Sequence, residues 1–288
     1  MARISFAVPP PSTFFVRGFS LAEMAVVLVI VALLIGGMVL PLSVQRELKL
    51  FSETESILAN AKEAVLGFAV VNERLPCPAT ANSAGREAFC STKTYPCTGT
   101  EVYEYYDTAP TSTHEGYCFT YYAGLLPSVT LGMQPTDTGG YAVDSWANQA
   151  TSRLRYAVST NALRSHVTPN PPTSFVLTKF QGMKTAVVKP DLSVCNGGAQ
   201  ILYSGTMGSG LNQYAKCIAG NALIEDAAAI IYSLGKNAST GGVSANESPN
   251  VTADTALVST EQSATFDDQL TWISPGLLIN RMSVGGRL

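Results

Sequence analysis

Apolar and polar positions divide the chain into long blocks. Met24 to Leu42, MAVVLVIVALLIGGMVLPL, carries no charge. At about 1.5 Å per residue, a helix over this block would reach about 28 Å, close to the thickness of a bilayer core. The period then changes. In VQRELKLFSETESILANAKEAVLGFAVVNERL, Leu48, Phe51, Ile57 or Leu58, Ala61, Val65 and Phe68 or Ala69 recur at helical spacing, with Lys49, Glu53, Glu55, Lys62 and Glu63 between them. The pattern predicts one long helix, broken at Pro41, where the missing N–H interrupts the ladder. Its second half is amphipathic and packs on a globular domain. Leu75-Pro76-Cys77-Pro78 ends it, because two prolines cannot continue a helix.

Later blocks are shorter. Ala79 to Thr120 is polar, with Tyr95, Tyr103, Tyr105, Tyr106, Tyr117 and Phe119 crowded together and Tyr121 and Tyr122 following. Such residues more often supply core in a stapled loop than a binding face. Arg153 to Thr160 alternates as a strand, and Ser174 to Val188 is strand-like. Between them Thr168 to Thr173, TPNPPT, is a turn or short linker. Ala227 to Gly235, AAAIIYSLG, has the length and flanks of a buried strand. The class is α+β.

Composition narrows the setting. Only 14% of residues are charged, against a usual quarter, and loop-forming residues abound, as in an exported domain. The net charge of -3 and the lack of a Lys/Arg run give no basic signature for nucleic acid. All six cysteines follow the apolar block, which fits disulfides in an oxidising compartment. There is no C-x-x-C, and His114 and His166 lack zinc-ligand spacing. Cys195 and Cys217 bracket a Gly-rich stretch; a bridge there would contribute about 3 kcal/mol through the unfolded state. Cys77, Cys90, Cys97 and Cys118 can pair in three ways, which the sequence leaves open.

Glu23 stands near the mouth of the apolar block. A carboxylate at the centre of a membrane helix costs about 2.5–3.5 kcal/mol, less near an end. A cleaved secretory signal needs a shorter apolar run and a small-x-small site. A plain signal anchor accounts for Arg17 but not for Glu23. Cleavage between Gly18 and Phe19 would supply a positive α-amino group as its partner.

Gly18-Phe19-Ser-Leu-Ala-Glu23, followed by the apolar run, resembles the class III signal of type IV prepilins and type II secretion pseudopilins. The resemblance implies a leader over 1–18, which is basic through Arg3 and Arg17, with cleavage after Gly18 by prepilin peptidase and N-methylation of Phe19. It implies a pilin-like fold: a long helix over 19–74, membrane-spanning over about 19–42, packed on an antiparallel sheet in a globular domain over 75–288. Glu23 would neutralise the N-terminal amine of a neighbouring subunit. The implied partners are other pilins and an inner-membrane assembly platform. The implied location is the bacterial inner membrane, single-pass with the globular domain in the periplasm, and then a periplasmic or extracellular filament. The size of the domain favours a minor subunit.

Asp144-Ser-Trp146-Ala-Asn148, with Arg155-Tyr156 after it, is similar to the D-x-W-G-N and Y-R-Y pieces of major pseudopilins, with Ala147 in place of Gly. SLGKNASTGG and FDDQLTWIS are similar to their S-L-G-x-D-G and D-I-x-W tail, with Asn237 where Asp is common and a longer loop over about 238–265. Calcium is the one cofactor this implies. Its candidate ligands are Asn237, Asp267 and Asp268, beside Asp254; solvated loop acids are the plainer reading. No enzyme is expected. Ser233-Leu-Gly-Lys236 fits S-x-x-K but lacks companion motifs and falls inside the S-L-G piece. The alternative role is a tip adhesin or ligand-binding pilin, acting through the Tyr-rich region and the long loop.

Overall fold

The computed structural model describes residues 18, 20–92, 97–103, 117–146, 149–159, 177–178, 190–198, 201–204, 214–240, 244–252 and 255–287, with helical side chains at 36–43 left out. The leader before Gly18, Phe19, both histidines, Asn148, the 168–173 linker, Asp254 and most of the 174–188 segment lie outside the described residues. The chain forms two compact units, Met1–Lys49 and Leu50–Leu288.

Helix α1 runs Leu21–Asn72. It passes through Pro41 as one element, so the break expected there does not occur. A proline removes one hydrogen bond from a ladder of some fifty residues, which does not end the helix. In the first unit the apolar side chains from Leu21 to Ile35 are exposed. Among the described residues no helix is long and apolar enough to cross a membrane. This overturns the single-pass inner-membrane placement. The described apolar stretch reaches Ile35, about 22 Å from Leu21, short of the roughly 30 Å a bilayer core requires, and it carries Glu23.

In the second unit α1 buries one face through Leu58, Ala61, Val65, Leu66 and Ala69. Leu48, expected on the same stripe, is exposed. The Phe51 ring meets Trp146 edge-on at 4.9 Å, the geometry aromatic quadrupoles favour. The main sheet is antiparallel: β3 (Gly124–Leu125), β4 (Arg155–Val158), β9 (Ala229–Ser233) and β11 (Gln269–Ile273), in the order β11-β9-β4-β3. Strand β9 is buried at every position, as its unbroken apolar run requires of a central strand.

A second sheet has the order β10-β5-β8, from β5 (Leu192–Cys195), β8 (Ala222–Ala227) and β10 (Ala256–Val258). Its β10–β5 pair is parallel and its β5–β8 pair antiparallel. The 238–265 segment is therefore not a plain loop, since it contains α2 (Ser248–Thr252) and β10. Among the described residues two antiparallel pairs complete the strands: β1 (Phe89–Cys90) with β2 (Glu101–Val102), and β6 (Ile201–Ser204) with β7 (Tyr214–Cys217). Disulfides join Cys77 to Cys118, Cys90 to Cys97 and Cys195 to Cys217. Helix α3 (Pro275–Val284) starts on Ser274, whose hydroxyl accepts from the Leu277 N–H, with Pro275 at the first helical position where its missing N–H does no harm.

Candidate functional site

Two places carry the residues singled out in the sequence. The first is the start of α1. The Ser20 N–H donates to Glu23 Oε2 at 2.8 Å, and the Glu23 N–H donates to Ser20 Oγ at 3.2 Å. This is a capping box: the S-x-x-E spacing lets each side chain satisfy the other's orphan amide. Glu23 thus has a partner within its own chain, a role the S-x-x-E pattern signals and the charge-pairing argument passes over. Gly18, just before it, is exposed, and a Cβ there would meet nothing within 4 Å. Among the described residues nothing requires glycine at this position.

The second place is a knot of carboxylates. Adjacent acids on a strand point to opposite faces. Asp267 and Asp268 instead precede β11, and their carboxylates converge with that of Glu247 to within 4.8 Å. Glu247 is fully buried and comes from the 238–265 segment, just before α2. The sequence reading missed it because only folding brings it to the tail motif. Asn237 donates Nδ2 to Glu247 Oε1 at 2.7 Å, and Asn250 donates Nδ2 to Asp268 Oδ2 at 2.7 Å. Asp267 Oδ2 accepts from the backbone N–H groups of Lys236 and Asn237. Burial, with Glu247 and Asp267 alongside, pushes the Asp268 carboxyl up to about 7. Burial and Glu247 also raise that of Asp267.

Calcium takes six to eight oxygens. Among the described residues the knot offers three carboxylates, and Asn237 turns an N–H rather than its carbonyl toward Glu247. Backbone carbonyls or water would have to complete a shell.

Ser233 Oγ donates to Asp144 Oδ2 at 2.5 Å and accepts from the Gly235 N–H. Ser233 is buried and Lys236 exposed. The serine is tied into the core rather than presented to a substrate. In the aromatic region Tyr121 and Tyr122 are buried, while Tyr103 and Phe119 are partly exposed.

Comparison with protein families, with curated proteins and with solved structures found no match.

Proposed function

We propose that the chain is a pilin-like filament subunit, a minor one by its size, of a type II secretion pseudopilus or type IV pilus. Prepilin peptidase cuts after Gly18 and methylates Phe19, and the subunit joins its neighbours through α1. The observation that carries this reading is the uncovered apolar helix from Leu21 to Ile35, where Leu21 is 89% and Leu33 71% exposed. A run of exposed aliphatic side chains of this length marks a contact surface. Gly18 supports the reading, because a glycine that meets nothing among the described residues fits a demand made by a processing enzyme. The subunit works by assembly and has no catalytic cycle of its own.

Glu23 has two roles in this reading, cap and docking charge, and three variants separate them. Glu23→Gln keeps the capping box, since Gln serves at that position, but removes the charge. Ser20→Ala does the reverse, and Glu23→Ala loses both. All three should be cleaved. Glu23→Gln and Glu23→Ala should enter filaments poorly, while Ser20→Ala should enter normally. Normal incorporation of Glu23→Gln would reduce Glu23 to a helix cap.

A further inference from the structure

Asn-Gly occurs once in the chain, at Asn196-Gly197, directly after Cys195 at the end of β5. Gly197 has a φ of 124°, a backbone region that favours glycine, so the turn itself sets a glycine beside the asparagine. The Asn196 N–H donates to the Asn221 carbonyl at 2.9 Å, and the Gly198 N–H donates to Asn246 Oδ1 at 2.7 Å. Between these anchors the Asn196 side chain is exposed. Among the described residues no hydrogen bond holds its amide or the Gly197 N–H.

The side-chain carbonyl carbon of an asparagine and the nitrogen of the next residue can close a five-membered ring. A side chain on that next residue crowds the closure, and a hydrogen bond on its N–H holds the nitrogen away. Neither obstacle is present at Asn196-Gly197. At Asn82-Ser83 the asparagine is also exposed, but Ser83 is buried and its N–H donates to the Thr80 carbonyl. At Asn246-Glu247 the next N–H is held by Ser244.

We propose that Asn196-Gly197 is a self-modification site, at which the folded chain converts Asn196 to aspartate and isoaspartate. Hydroxide takes the Gly197 amide proton, and the nitrogen bonds to Asn196 Cγ. The Cγ–Nδ2 bond breaks, and Nδ2 takes a proton from water and leaves as ammonia. Water then opens the cyclic imide. Attack at Cγ leaves aspartate; attack at the main-chain carbonyl carbon leaves isoaspartate, with the chain running through Cγ. Either product adds a negative charge, and isoaspartate also adds one carbon to the backbone. That carbon falls between Cys195, bridged to Cys217, and Gly198, where even a Cβ would collide with the Ala245 carbonyl oxygen. Packing this close has no slack, so the Gly198–Asn246 bond gives way. The inference stands apart from the filament reading, because it uses only the second unit.

The test incubates the full chain at mildly alkaline and mildly acidic pH, folded and in urea, and maps its peptides by mass spectrometry. Isoaspartate is counted by labelling with protein isoaspartyl methyltransferase. The Asn196 peptide should show the mass of an amide-to-acid exchange, sooner at alkaline pH, and should carry the methyl label. A reaction that needed global unfolding would run about 10³-fold or more slower in the folded chain than in urea; a gap within about tenfold is expected. Asn196→Gln, whose ring would be one atom larger, should abolish the label. In the aged chain the Gly198 amide should exchange faster than in freshly made Asn196→Asp, which has the charge without the extra carbon. Four results would each overturn the proposal: no change at Asn196 in the folded chain, a gap of about 10³-fold, earlier change at Asn82, or equal exchange at Gly198 in the two proteins.

Discussion

Ser233 and Asp144 are bound side chain to side chain at 2.5 Å across 89 positions of chain. They tie the end of the central strand to the Asp144-Ser-Trp146 turn. Asp144 also accepts from the Trp146 N–H, yet burial still raises its carboxyl above the ordinary aspartate value. Hydrogen bonds to charged groups contribute about 1.5–3 kcal/mol. Ser233→Ala should therefore lower stability in urea by about that amount. A loss below about 0.5 kcal/mol would show that the pair is not part of what holds the core.

The carboxylate knot should make stability fall as pH rises. Asp268 ionises near the ordinary aspartate value when unfolded and at about 7 when folded. Between those values the folded state holds the extra proton, so the benefit is complete at the acid end and lost as pH climbs to about 7. A shift of this size sets a ceiling of about 4 kcal/mol. Asp268→Asn should flatten the profile between about pH 4 and 7 and stabilise the protein at pH 8. An unchanged profile would mean that Asp268 is already ionised at the low end.

Arg74 and Glu87 form a buried two-pronged ion pair at 2.6 and 2.9 Å, just past the end of α1. The Cys77 N–H donates to the same carboxylate at 2.7 Å, and the guanidinium lies over the Phe68 and Phe89 rings. Removing one partner strands a buried charge, at a cost of about 3–5 kcal/mol. Arg74→Met should lose that much stability by thermal or denaturant unfolding, and Arg74→Lys should recover only part, because it cannot reproduce the fork.

The Cys195–Cys217 bridge spans 22 positions of chain and joins β5 of the second sheet to β7 of the β6–β7 pair. The double variant Cys195→Ser/Cys217→Ser should lose about 2–4 kcal/mol. Exchange should quicken first in β5 and β7, which it joins. A loss spread evenly over both sheets would argue that the two do not open separately.

What the sequence reveals follows the range of each signal. The long helix and β9 are legible because their patterns are local: a helical repeat in one, an unbroken apolar run in the other. Strand β10 is not, because three residues inside a polar segment acquire meaning only beside β5, some sixty positions earlier. Glu247 is hidden for the same reason: a lone acid in a loop until folding sets it against Asp267 and Asp268. The Ser20-x-x-Glu23 box shows a different limit. Its pattern is in plain view, but a charge beside an apolar run draws attention to distant partners before near ones.

Intact mass and N-terminal sequencing of the protein, made with and without prepilin peptidase, decide whether the chain is a filament subunit. A mature chain beginning at N-methylated Phe19 is expected whenever the peptidase is present, and an uncut chain when it is absent. A chain left whole in both, or cut at another site, would contradict the filament-subunit reading. Ser20 and Glu23 would then be a helix cap and nothing more.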